Sequence, residues 1–194
     1  MTREDRALIK QHKERSVPEA AVAILAAGIV AHVGIADANG PVVIPMTYAF
    51  DAAEPELLHL HGAHNSRLMG ALQDGASVCV TVTLTDGLVY SKTGLNHSVN
   101  YRSAVAFGRA ATEQPSPERQ HELLAQMIGR YFPGRQEGVD YGVIPEKHID
   151  ATSFVTIHIE AVSAKQRTGP PLGPGDSDPA VPGTSGVLEL RPGL

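Results

Sequence analysis

The sequence predicts a mainly β fold, a six-stranded antiparallel β-barrel with flanking helices, and three observations point to it. β-type runs follow one another through tight turns rather than helical crossovers, which favours antiparallel pairing and closure over a doubly wound sheet. Only two sizeable helical patterns interrupt those runs. A chain of 194 residues with 42% hydrophobic content can bury about 70% of its unfolded surface, enough for one compact domain.

Residues 1–15 are charged and carry no apolar stripe, so they read as an arm or a frayed helix. Ser16 and Glu19 have the spacing of a capping box, and AAVAILAAG predicts a helix over 17–27 stopped at Gly28. The runs 29–36 and 42–50 flank Asn39-Gly40, a strong tight-turn pair, and form a hairpin. A third strand, 56–62, leads into a short helix whose face is Leu68, Met69 and Leu72 and which ends before Gly75. SVCVTVTL (77–84) and LVYSKTG (88–94) flank Thr85-Asp86-Gly87, read as another hairpin turn, and 100–112 alternates as a long strand in which Gly108 allows a bulge or close backbone approach. Ser116 to Tyr131, with Pro117 in its first turn and Leu123, Leu124, Met127 and Ile128 at helical spacing, is the second sizeable helix. Residues 152–162 alternate as the last strand. The barrel with its helical arm is assigned to 1–167. Residues 168–194, with 12 Gly plus Pro in 27 positions, form a tail in which GVLELRPG can pack as an edge strand.

The charge, 16 Lys and Arg against 21 Asp and Glu, is mildly acidic, where a nucleic-acid protein would show a basic stripe. No apolar run reaches the roughly 18 residues of a membrane span, and the charged amino terminus is unlike a secretory signal. A soluble cytoplasmic protein is expected. The single cysteine, Cys79, excludes an internal disulfide and reads as a small buried hydrophobe.

Three segments carry candidate chemistry. In LHLHGAHNSRLM (58–69), His59 and His61 share a strand face and His64 follows in the turn, a spacing that zinc could use. The same segment ends in Asn65-Ser66-Arg67, where a hydroxyl, a guanidinium and unpaired N–H groups at a helix start suit a phosphate, unless Ser66 only caps and Arg67 is a surface charge. In HSVNYRSAVAFGRA (97–110), Arg102 needs a partner: a ligand phosphate, a carboxylate of a second subunit, or an internal acid. In PVVIPMTYAF (41–50), Pro45 marks an edge or bulge and leaves the backbone near Met46 and Thr47 free to bond something else.

Taken in order, these segments resemble the pyridoxamine 5′-phosphate oxidase-like flavoproteins with a split β-barrel, in the branch that includes nitroimidazole-resistance proteins. The resemblance covers AHVGIADANGPVVIPMTYAF, LLHLHGAHNSRLMGAL and VCVTVTLTDGLVYSKTGLNHSVNYRSAVAFGRA and runs more loosely to about residue 171. It implies FMN as cofactor, with Ser66 and Arg67 on its phosphate, Pro45, Met46, Thr47 and Tyr48 along the ring chiefly through backbone, and His61 facing flavin or substrate as the catalytic candidate. It also implies a homodimer with FMN at the interface, the seam lined by Asn100, Tyr101, Arg102 and Ser103. Leu68 stands where the oxidases usually carry a lysine, and the chain has no tryptophan. The function expected is a flavin-dependent oxidoreductase acting on a small organic substrate. The alternatives are a binding module for flavin, haem or deazaflavin without turnover, and a zinc hydrolase on His59, His61 and His64.

Overall fold

A computed structural model describes residues 3–73, 75–111 and 114–190. These residues form seven strands: β1 Val30–Asp37, β2 Gly40–Ala49, β3 Leu57–Ala63, β4 Ser77–Tyr90, β5 Ser98–Ala110, β6 Thr152–Arg167 and β7 Gly186–Glu189. Five α-helices accompany them: α1 Arg3–Ala7, α2 Ala21–Ala27, α3 Arg67–Gln73, α4 Pro117–Tyr131 and α5 Glu146–Asp150. The strand order is β1-β2-β3-β6-β5-β4, all antiparallel, and β4 returns to β1 through His32↔Thr81, Val33↔Val80 and Gly34↔Cys79. This closes a six-stranded barrel as expected, with the two runs read at 77–84 and 88–94 merged into the single strand β4.

The seventh strand follows from a corrected turn. Thr85-Asp86-Gly87 does not reverse the chain; β4 runs through it with a register shift between Thr85 and Gly87. The reversal comes at residues 91–97, so residues 91–94 leave the expected strand and enter the turn. β4 therefore outruns the barrel. One edge of β4 pairs with β5 along its length, while the other meets β1 in the barrel and then β7 at Gly87↔Glu189 to Tyr90↔Gly186. A β4–β5 extension with β7 at its side projects past the ring.

The expected helix over 17–27 is shorter and starts differently. Pro18–Ala20 form a 3-10 turn, α2 begins at Ala21, and Ser16 makes no cap. Its residue pairs instead with Lys165 as an isolated bridge, so the strand neighbour outcompetes the local cap. By contrast the expected helix from Ser116 to Tyr131 forms as α4, and Ser116 caps it, its Oγ accepting from the Arg119 N–H at 3.3 Å.

Alternation places Val33, Leu58, Leu60, Val80, Val82, Ala104, Val155 and Ile157 inside the barrel. Ile24 and Leu25 of α2 and Leu68, Met69 and Leu72 of α3 pack against the same core. A second cluster, Ala49, Leu123, Met127 and Phe154, seats α4 on the outside of the sheet, and burying a side chain such as Leu123 contributes about 1.5–3 kcal/mol.

Candidate functional site

The barrel is split at one place. β2 is ten residues long, yet it pairs with β3 only at Tyr48↔Leu60 and Ala49↔His59. Residues 41–47 keep β1 on one side and, among the described residues, have no strand on the other. Pro45 lies on this bare edge, as a proline without an N–H predicts. Continued past its last pair, the register sets His61 against Thr47 and Gly62 against Met46. Met46 does reach across: a Cβ added to Gly62 would lie 3.5 Å from the Met46 methyl and 3.0 Å from Met69 Cγ. Pro45, Met46 and Thr47 thus lie on the β2 side of this cleft between the strands and His61 on the β3 side, with Ser66 and Arg67 following β3 at the start of α3.

At that start the Arg67 guanidinium is exposed and donates to Asp37 at the end of β1, from Nε at 3.0 Å and Nη2 at 2.6 Å. The other Asp37 oxygen accepts from the Asn39 N–H at 2.8 Å and shapes the β1–β2 turn. That N–H and the Arg67 cation hold the Asp37 carboxyl below its usual range. Sequence reasoning missed Asp37, although its place two residues before Asn39 in the turn marks it as a turn-capping side chain.

His61 is half-buried, its ring stacked on Phe154 with centroids 6.0 Å apart. Burial lowers its pKa, and its buried Nδ1 has no hydrogen-bond partner among the described residues. His59 is 6% exposed, hydrogen-bonded through Nδ1 to Thr156 Oγ1 at 3.0 Å, and burial with nearby Arg119 and His158 pushes its pKa down to about 4. His64 spends both ring nitrogens, on Ser153 Oγ at 2.7 Å and the Asp150 carbonyl at 2.5 Å. Among the described residues no three such side chains form a metal-holding group, so the zinc arrangement is not assembled.

Tyr48 departs from its expected place. It is completely buried, its hydroxyl donates to Leu25 O at 2.6 Å, and burial pushes its phenol pKa up against the opposing pull of Arg130. Its backbone is also taken: the N–H donates to Tyr131 Oη at 3.1 Å, and the carbonyl accepts from Tyr131 and Arg130. Neither ring nor peptide is free for a ligand, and the usable edge stops at Thr47.

Asn100, Tyr101, Arg102 and Ser103 do not join the cleft. They lie on β5, between β4 and β6, where the extension leaves the barrel. Arg102 takes the internal acid: its Nε and Nη2 donate to the two oxygens of Asp86 at 2.9 and 2.6 Å. Asn100 is buried and bridges Gly169 O to the Arg167 guanidinium. Tyr101 and Ser103 are partly buried. Cys79 is likewise partly buried, and burial raises its thiol pKa.

No helix among the described residues is long and apolar enough to cross a membrane. A comparison with curated proteins finds no match. Among solved structures, the flavocytochrome Anf3 from Azotobacter vinelandii is similar at 32% identity, with 98% of this chain and 86% of that chain covered and a TM-score of 0.81. The FAD and heme binding protein from Mycobacterium smegmatis is similar at 27% identity, over 91% and 84% of the two chains, with a TM-score of 0.77. A putative 5-nitroimidazole antibiotic resistance protein from Bacteroides thetaiotaomicron shares the fold at 20% identity, over 81% and 84%, with a TM-score of 0.59. The profile of the pyridoxamine 5′-phosphate oxidase family matches residues 18–166, which takes in the whole ring of strands and the cleft. With that match spanning most of its length, the chain belongs to the pyridoxamine 5′-phosphate oxidase family.

Proposed function

We propose that the chain is a flavin-binding oxidoreductase that holds FMN in the split between β2 and β3 and acts on a small organic substrate. The observation that carries this reading is the bare edge of β2 over residues 41–47, set beside an exposed guanidinium at the start of α3. A flat, hydrogen-bonding ring suits such an edge, and Arg67 with the Ser66 hydroxyl suits a phosphate. Family membership and the two neighbours above 25% identity, one a flavocytochrome and one an FAD and haem binding protein by name, support a flavin in this chain.

Bound flavin supplies the two-electron chemistry, and the chain supplies binding, orientation and charge. Arg67 neutralises phosphate once it exchanges Asp37 for it. That exchange is accessible, because an exposed ion pair is worth only about 0–1 kcal/mol. His61 is neutral near pH 7 and lies on the β3 side of the split, where its imidazole can hold a hydrogen bond to substrate. The chain works as a homodimer in this reading. Leu88 lies directly across from Val99 on one side and Leu188 on the other, and the three are 45%, 37% and 58% exposed. A second copy covers this strip, and Asn100, Tyr101, Arg102 and Ser103 lie on the same extension to line the seam.

Haem binding beside the flavin is a second reading, favoured by the names of both neighbours. An absorption spectrum of the purified chain separates the readings, since bound flavin and a Soret band are distinct. Titration with FMN then gives an affinity, and size-exclusion chromatography with light scattering gives the mass. A chain that takes up no flavin, or binds it equally well as Arg67→Ala, overturns the proposal.

A further inference from the structure

The tip of the β4–β5 extension holds a second concentration of positive charge. Four separate stretches of chain meet there: the N-terminal arm at Arg15, the 95–98 turn, the end of β6 at Arg167, and the tail at Leu172. They enclose a cavity of about 220 Å³. Asn96, His97 and Ser98 supply its neutral polar wall, and Leu95 and Leu172 stand at its rim, 95% and 83% exposed.

What marks this cavity is how its cations are held. Arg167 donates to no carboxylate among the described residues. One of its nitrogens bonds Asn100 Oδ1, another the Pro170 carbonyl at 3.3 Å. Asn100 is 7% exposed and gives its own amide hydrogen to Gly169 O at 3.1 Å, which fixes the amide oxygen toward Arg167. A buried neutral amide thus orients the guanidinium while leaving its charge uncompensated. Arg15 has only Glu14, at 3.7 Å on the surface, and Glu14 also receives His12 Nδ1 at 3.1 Å. His97 turns Nδ1 back to Gly94 O at 3.1 Å, so its Nε2 is the nitrogen that faces outward.

The tail wall is fixed as well. Asp176 accepts from Ser91 Oγ, the Lys92 N–H and the Gly173 N–H at 2.6–3.0 Å, which binds the segment carrying Leu172 to the hairpin.

Two guanidiniums in one small cavity, with neutral donors beside them, match a polyanion of tetrahedral groups better than a single carboxylate. The volume falls below the roughly 300 Å³ at which pockets for whole ligands begin, so only the charged part of a ligand enters. The exposed leucines outside offer a flat apolar rest for the remainder. We propose that this cavity binds the phosphates of a nucleoside diphosphate, with the base lying on Leu95 and Leu172. The site stands whether or not the flavin reading does. The ligand is a free nucleotide and not FAD, because the diphosphate of FAD contains the flavin phosphate that the proposed function sets on Arg67.

Isothermal titration of the full chain with ADP tests it. The expected result is saturable binding that weakens as NaCl rises, falls tenfold or more in Arg167→Gln and in Arg15→Gln, and is unchanged in Arg109→Gln, whose guanidinium faces Glu160 on the barrel. Thermal melts confirm that each variant is folded. Parallel titrations identify the occupant: FMN and FAD should bind Arg167→Gln as they bind the wild type, whereas a flavin affinity that falls together with that of ADP overturns a free nucleotide as the ligand. No ADP binding, or equal binding by all three variants, overturns the site.

Discussion

The guanidinium carbon of Arg130 lies 4.5 Å from the centre of the Tyr48 ring, and the two side chains together close the carboxyl end of α2. Arg130 donates to the carbonyls of Leu25 at 2.9 Å, Gly28 and Tyr48 at 3.2 Å, and to Tyr48 Oη at 3.1 Å. Its charge complements the negative end of α2 and the ring face rather than any carboxylate. Tyr48→Phe should cost about 1–1.5 kcal/mol by losing the bond to Leu25 O, and Arg130→Ala about 2–4 kcal/mol by leaving several carbonyls without a donor. Urea melts of the two variants and the double mutant check this, with a double mutant well short of the sum because the residues share partners.

Asp37 and Arg67 make an exposed pair whose strength sets how readily the guanidinium accepts a phosphate. Asp37→Asn keeps the turn bond to Asn39 and releases the cation, so FMN affinity should rise by up to about fivefold, the range of a surface ion pair. Arg67→Ala should lower it by about 1.5–3 kcal/mol, as for a charge-assisted hydrogen bond, with the melting temperature little changed. Flavin fluorescence titration of both variants measures the two opposite shifts.

Acid should unfold the chain in part through His59. Its pKa is 6.5 when free and about 4 in the fold, so between those values the unfolded chain holds more protons and stability drops as pH falls through the window. The loss approaches about 3 kcal/mol once pH is below 4, and burial of His61 adds in the same direction. Denaturation midpoints at pH 7 and pH 4.5 should differ in the wild type and differ less in His59→Leu.

Gly108 sits at the register shift between β5 and β6, where a Cβ would fall 2.1 Å from the His158 carbonyl oxygen. Backbone on both sides cannot step aside as a side chain can. Gly108→Ala should therefore destabilise the barrel by about 3 kcal/mol or more, read as a lowered urea midpoint.

Asp176→Ala should free the tail without melting the barrel, because its partners are the Ser91 and Lys92 turn and its own loop. Limited proteolysis should then cut between residues 168 and 185 far faster than in the wild type, at an unchanged midpoint for the core.

The closed ring was legible because its strands alternate and its turns carry their own chemistry: Asn39-Gly40 turns, Pro45 lies on a free edge, and Gly108 admits the close backbone of β6 beside its bulge. Thr85-Asp86-Gly87 has the same composition as a turn but does not turn, since β5 pairs across it on one side and β7 supplies a neighbour on the other. That outcome depends on a strand a hundred residues away, which no local pattern contains. Pro45, Met46, Thr47, His61, Ser66 and Arg67 were singled out from the residues and the resemblance, and the strand register sets the first four on the two sides of one split. Asp86, Arg130 and Asp176 carry no such local mark, because each is defined by a partner distant in the chain, whereas Asp37 has one in its place before Asn39 and only its ion pair with Arg67 is distant. Tyr48 was misread for the same reason: its destination is set by Arg130 and Tyr131 on a helix more than eighty residues on.

The bulge in β4 divides labour within a single strand. Below it, hydrogen bonds complete the ring and every lost pair opens the core; above it, the ladder supports only the tip and the tail. Lineages sharing this barrel are thus free to lengthen, shorten or replace the overhang, acquiring new recognition surfaces while the ring that houses the cleft is left untouched.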